Sequence, residues 1–306
     1  MEILNVLLEK YQVRRTKAQK AAFLEFAREA CAKRGYESHI QEHNGPMKSR
    51  NLVAGDPETA KVIFTAHYDT CARMPVPNLI FPKNMPLTFL VQLPLVLVML
   101  ALALGVGLLL WHFTGNEHFY TVGFLVVYFG LFALMFFGPA NRHTANDNTS
   151  GTAALFKIME MLPDEQKKKA AFIFFDNEEF GKVGSQQYAK AHPDVKKNAL
   201  IVNLDCIGDG PHFLIVAPKK KDEALEKMLQ EAFRDQGEQK AVHCSAKNTH
   251  YNSDQLSFQR GVAIAACQKN KLGYHVPRIH TKRDVICEES NLEYVCQGAI
   301  KLINML

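Results

Sequence analysis

Two stretches of the 306-residue chain contain no Asp, Glu, Lys or Arg: positions 87–111 and 119–138. As helices rising 1.5 Å per residue they would be about 37 and 30 Å long, and a bilayer's hydrocarbon core is about 30 Å thick. A core helix keeps a polar stripe, whereas these segments are apolar on every face, so the pattern predicts two membrane spans. Pro94 lies inside the first, a position that membrane helices tolerate. Trp111, Phe119 and Tyr120 fall where an interfacial aromatic belt belongs. The seven residues between the spans, with Gly115-Asn116 as turn signal, make the pair a hairpin.

The rest of the chain alternates between helical and strand patterns. Positions 2–11, 17–33, 150–161, 222–233 and 292–303 read as helices, with Thr16 as N-cap of the second and Pro163 just past the third. Short apolar runs at 61–66, 170–175, 199–204 and 262–267 read as buried strands. This alternation predicts an α/β protein with a layered mixed sheet. The hairpin divides it in sequence into parts 1–86 and 139–306. Two spans return the chain to the side it left, so both parts can join in one fold.

With 36 basic and 31 acidic residues, net charge +5 and 47% hydrophobic residues, the chain is neither disordered, collagen-like nor a small disulfide module. The positive charge is diffuse, with no basic stripe interleaved with aromatics, so no nucleic-acid partner is expected. Lys219-Lys220-Lys221 reads as a solvated helix entry. The first ten residues are too charged for a secretory signal. Seven cysteines without a C-x-x-C pair read as reduced thiols. Lys83 and Arg142 flank the hairpin, while Glu117 is the only formal charge in its connector. Positive flanks prefer the cytoplasm, so a cell-membrane protein with two spans and its large domain facing the cytoplasm is expected. Oligomeric state is not specified.

Polar clusters follow the predicted strands, where open α/β sheets place ligand sites: His67-Tyr68-Asp69, Asp176-Asn177-Glu178-Glu179 and Asp205. Asn146-Asp147-Asn148 precedes a helix and Ile279-His280-Thr281 lies in a late loop. Each is weak alone, since a strand-end Asp is often only a helix cap. Together, two histidines and several carboxylates are the donor set of a carboxylate-rich zinc centre.

The ordered series His67-x-Asp69, Asp147-Asn148-x-Ser150-Gly151, Glu178-Glu179-x-Gly181, Asn203-x-Asp205, Ser253-Asp254 and Ile279-His280-Thr281…Asp284 resembles metallopeptidase family 28, the co-catalytic di-zinc aminopeptidases. The resemblance covers the soluble part from about Lys61 onward. It implies a three-layer αβα zinc-exopeptidase-like fold and two Zn²⁺ per chain. His67 and Asp205 would hold one ion, Glu179 and His280 the other, and Asp147 would bridge them. Glu178 would be the general base, Asp69 the partner of the His67 ring, and Tyr251 or Tyr274 the oxyanion-stabilising group. A cis peptide at Asp147–Asn148 is also implied.

Two features depart from that pattern: His67 and Asp147 lie 80 positions apart because of the hairpin, and Gln255 follows Asp254 where many relatives carry His. Asp147 comes nine positions after the second span, and nine extended residues reach at most about 30 Å. The site should therefore lie near the bilayer surface. The leading expectation is a membrane-anchored exopeptidase, most simply an aminopeptidase, acting on peptides there. The alternatives are glutaminyl cyclisation or deacylation on the same fold, the cyclases using a single zinc, or a metal-free membrane-anchored binding protein.

Overall fold

Strand Ala170–Phe175 shows how the sheet is built. All six residues are buried, and they alternate between two cores: Phe172 and Phe174 face one, Ile173 and Phe175 the other. A strand covered on both faces needs no polar alternation, which is why its sequence is a continuous apolar run. The computed structural model describes residues 2–45 and 47–306. In chain order the elements are α1 (Glu2–Lys10), α2 (Lys17–Lys33), β1 (Ser38–His43), β2 (Ser49–Ala54), β3 (Val62–His67), α3 (Met85–Thr114), α4 (Glu117–Phe137), α5 (Gly151–Met161), β4 (Ala170–Phe175), α6 (Val183–Ala191), α7 (Pro193–Asn198), β5 (Leu200–Leu204), β6 (His212–Ala217), α8 (Glu223–Ala232), β7 (Lys240–Ser245), β8 (Arg260–Asn270), β9 (Gly273–His275) and α9 (Glu289–Met305).

The strand order is β1-β2-β4-β3-β5-β8-β6-β7, with β9 paired to β8. The centre, β4-β3-β5-β8, is parallel; β2 and β6 run antiparallel to it. The larger core joins one face of the sheet to α1, α2, α5, α8 and α9. On the opposite face, Tyr188, Ala189 and Val195 of α6 and α7 cover Ile63, Ile173 and Ile201. The result is the expected α/β class, in three αβα layers.

Capping fixes the ends of several helices. Thr16 and Gln19 form a reciprocal capping box at the start of α2. Asp222 caps α8 by accepting from Leu225 N at 3.1 Å, directly after the solvated lysine run.

The inserted helices α3 and α4 are longer than the charge-free stretches, and their connector shrinks to Gly115-Asn116. Gly115 ends α3 in the left-handed conformation, and the Asn116 side chain caps α4 by accepting from His118 N at 2.8 Å. Both helices are long and apolar enough to cross a membrane. Their large apolar side chains point outward, with Phe89 66% and Phe113 80% exposed. The tip halves pack closely through small residues: a Cβ on Gly123 would lie 2.4 Å from Leu110 Cδ1, and one on Gly107 3.0 Å from Tyr120. At the base, segments leading to and from the hairpin pair with each other. Ala72 bridges Ala140, Arg73 N donates to Pro139 O at 2.8 Å, and Asn141 N donates to Cys71 O at 3.1 Å.

Candidate metal centre

The C-terminal ends of β3, β4 and β5 open onto one chamber of about 280 Å³ that exposes His67, Glu178, Glu179 and Asp205, together with Asp147 and His280. Parallel pairing sets this up: His67 lies beside Phe175, and Thr65 beside Asn203, so the residues that follow emerge at one level.

Asp147 stands at the middle. Its Oδ1 lies 3.3 Å from His67 Nε2, and its Oδ2 lies 3.1 Å from His280 Nε2. His67 Nε2 is also 3.6 Å from Asp205 Oδ1, and His280 Nε2 is 3.4 Å from Glu179 Oε2. Two groups of donors able to hold a metal ion result, His67–Asp147–Asp205 and Cys71–Asp147–Glu179–His280, and Asp147 belongs to both. Glu179 Oε1 and Asp205 Oδ1 are buried with no hydrogen-bond partner among the described residues. Buried carboxylate oxygens are costly without a partner, and a cation at each group supplies one. The donor set of neutral imidazole and carboxylate suits zinc.

Charge is concentrated here. Burial pulls His67 down, but Asp147, Asp205 and Asp69 outweigh it and raise it well above the ordinary histidine value. Burial likewise opposes the neighbouring carboxylates at His280, which ends at about 9. Burial pushes Glu179 up to about 8 against the pull of His280, and pushes Glu178 well above the carboxylate range with help from Asp254 and Asp205. Asp147, despite burial, is held low by His280 and His67.

Asp69 organises its neighbours. Its carboxylate accepts from Glu178 N at 2.9 Å and Glu179 N at 3.2 Å, while its Oδ1 lies 3.5 Å from His67 Nδ1. The nearer acceptor for that ring nitrogen is the Asp69 carbonyl, at 3.2 Å. The turn after β4 needs Gly184, where a Cβ would lie 2.2 Å from the Asp176 carbonyl oxygen. His280 and Cys206 both have left-handed backbones, φ 62 and 57, which non-glycine residues seldom adopt. The Asp147–Asn148 peptide is cis. Tyr251 lines the chamber, its hydroxyl donating to Asp205 O at 3.1 Å. Tyr274 does not: on β9 it lies at the sheet's edge beneath Lys83 and Lys269. Gln255 donates to Tyr251 O at 2.6 Å and accepts from Asn203 at 3.3 Å, so it holds the tyrosine loop.

Three residues without a role in the sequence reading contribute. Asp284 accepts from Asn146 N at 2.7 Å and Asp147 N at 3.1 Å, and so fixes the backbone on which Asp147 sits. The fully buried Arg14 donates to Thr149 Oγ1 at 3.2 Å and to the Tyr68 carbonyl, tying α1's end beneath β3. Cys71, one of the seven cysteines read as reduced thiols, stands beside Glu179 and His280. Asp284 was visible as part of the last motif; Arg14 and Cys71 carry no signal of spacing.

A three-layer αβα sheet with histidines and carboxylates gathered past its parallel strands defines a zinc-exopeptidase-like fold. The chain belongs to peptidase family M28, whose model matches residues 118–295. Among solved structures it is similar to the glutaminyl cyclase of Porphyromonas gingivalis, with 16% identity, 99% of this chain and 97% of that chain covered, and a TM-score of 0.62. A Zn-dependent exopeptidase from Parabacteroides distasonis gives 16% identity, 99% and 97% coverage and 0.60. The LapA aminopeptidase of Legionella pneumophila gives 14%, 99% and 69%, and 0.56. No curated protein matches the chain. Fold and family thus set it among peptidase-fold hydrolases and cyclases.

Proposed function

We propose that the protein is a membrane-anchored di-zinc exopeptidase that removes N-terminal residues from peptides near the bilayer surface. The observation that carries this reading is Asp147, whose two oxygens each face a different histidine and which serves both donor groups. Two groups favour a two-metal hydrolase over a one-zinc cyclase. His67 and Asp205 would hold one ion, Glu179 and His280 the other. Bound zinc supplies Lewis acidity there, polarising the substrate carbonyl and making the attacking water acidic enough to lose its proton near neutral pH.

The chain's own groups do the rest. Glu178, half-buried at the chamber wall, takes the proton from the attacking water and returns it to the departing amine. Its raised proton affinity suits both halves of that transfer. Asp69 holds the backbone of Glu178 and Glu179 and the ring of His67 in one frame. Tyr251 is the remaining candidate for stabilising the oxyanion. The hairpin, residues 87–138, inserts into a catalytic domain made of 1–86 and 139–306, and its positive flanks favour a cytoplasmic domain.

Metal analysis coupled to an N-terminal residue release assay tests the proposal. Two zinc equivalents per chain with amino-acid release support it; one equivalent with pyroglutamate formation from N-terminal glutamine supports a cyclase instead.

A further inference from the structure

Beside the polar chamber lies a second cavity, of about 370 Å³, between the inserted helices and the catalytic domain. Glu179, His280, Asn78 and Phe136 line both, so the two are neighbours across a shared wall. Glu178 lines only the polar chamber. The second cavity therefore starts at the Glu179–His280 side of the donor cluster and runs into the hairpin.

Its far walls come from the seam between α3 and α4. Val91, Leu95 and Met99 recur every fourth residue on α3, and Tyr128, Phe132 and Phe136 do so on α4. Eight helical residues rise about 12 Å, so the cavity follows the seam for that distance. The seam is closed toward the tip, where Gly107 and Gly123 bring the helices together, and open toward the domain. Pro94 lies in the open stretch, where its missing N–H leaves the helix ladder one bond short. The polar groups at the junction satisfy each other, Gln92 Nε2 donating to Asn78 Oδ1 at 2.9 Å. What remains is a long apolar slot, deeper than any standard side chain extends, within the range of ligand pockets.

We propose that this slot holds a long alkyl chain of the substrate: the enzyme acts on amides whose apolar chain lies along the α3–α4 seam while the scissile bond sits in the polar chamber. Substrate identity rests on the amide-hydrolase reading above; occupancy of the slot does not. The hairpin is then part of the binding site.

Two measurements on the full-length protein in nanodiscs test this. The first follows kcat/KM for aminoacyl amides whose linear side chain lengthens from ethyl to dodecyl. The wild type should gain up to about fourfold per methylene, the equivalent of about 0.8 kcal/mol each, until the slot is full. Leu95→Trp should flatten that dependence, while Leu97→Trp, on the exposed side of α3, should keep it. Equal slopes in all three proteins would overturn the proposal.

The second needs no turnover: a dodecyl amide with a terminal diazirine is photo-crosslinked and mapped by mass spectrometry. Labelling of 91–99 and 128–136, displaced by the parent amide but not by dodecane, supports the slot even if hydrolysis is never seen. Labelling matched by a diazirine phospholipid and insensitive to the amide means that the slot is filled by lipid alone, and the inference fails.

Discussion

Replacing Glu178 by Gln separates chemistry from structure. Gln keeps the shape, and the backbone N–H that Asp69 accepts at 2.9 Å is untouched, so the loop should stay in place. What disappears is the group that can take a proton. General-base contributions are about 10²–10⁴-fold, so kcat should fall by that factor, about 2.7–5.4 kcal/mol at 1.36 kcal/mol per decade. Stability should move the other way. Burial and the carboxylates Asp254, Asp205 and Glu179 raise the pKa of Glu178 well above 4.5, so it binds its proton more tightly folded than unfolded. Such a group stabilises the fold below its unfolded pKa, and that contribution is lost as pH rises through the folded value. Above the unfolded pKa, keeping this carboxyl buried therefore costs stability, and at neutral pH E178Q should melt at or above the wild-type temperature when stripped of metal. The assay pairs amino-acid release with metal content and thermal unfolding. A variant that keeps its zinc and stays within tenfold of wild-type kcat would refute the assignment of Glu178 as base.

Further outcomes follow from the same geometry. With metal removed, stability should decline as pH rises between about 4.5 and 9: Glu179 and Asp284, raised to about 8, and His280, raised to about 9, bind more protons folded than unfolded across that window. Added zinc should reverse the slope, because its ligands must be deprotonated, and melting curves with and without chelator will show whether it does. Asp147→Ala should lose both metal equivalents where Asp205→Ala loses one, read by metal analysis after dialysis. Lys20→Met should destabilise the protein by about 3–5 kcal/mol in denaturant unfolding, since it leaves the buried Asp176, 2.5 Å from the ammonium, without its counter-charge. Gly123→Leu should cost about 1–3 kcal/mol through overpacking against Leu110 and be visible as loss of hairpin protection from proteolysis in bilayers.

The central strands and the donor residues were legible for the same reason. A strand buried on both faces is an apolar run, and the polar residue at its end stands out: His67 closes β3, and Asp176 and Asp205 directly follow β4 and β5. The edges were not. β1 (SHIQEH) and β7 (KAVHCS) are half-exposed strands whose polar residues resemble loop. β6, with a run as apolar as β4's, is an additional strand where the sequence reading places none. The start of α2 was visible because Thr16 caps it, whereas Asp222, read as the first residue of a helix, is the cap that precedes α8. The contributions of Asp284 to Asp147, or of Arg14 to Thr149, span more than 130 positions and depend on tertiary placement alone. The choice between Tyr251 and Tyr274 had the same origin: both precede or follow β8, and only the strand pairing of β9 shows which faces the donors.

The strand order bears on how the protein is made. β3 lies between β4 and β5, yet it is synthesised before the hairpin and they come after it. At about 5–20 residues per second, a ribosome needs roughly five to twenty-two seconds to pass from the end of β3 to the end of β4, the first of its neighbours to be made. Throughout that interval a finished apolar strand waits without its neighbours while the two long apolar helices are made. Nascent chains of this protein should therefore depend on holdase chaperones until β4 emerges to cover that strand.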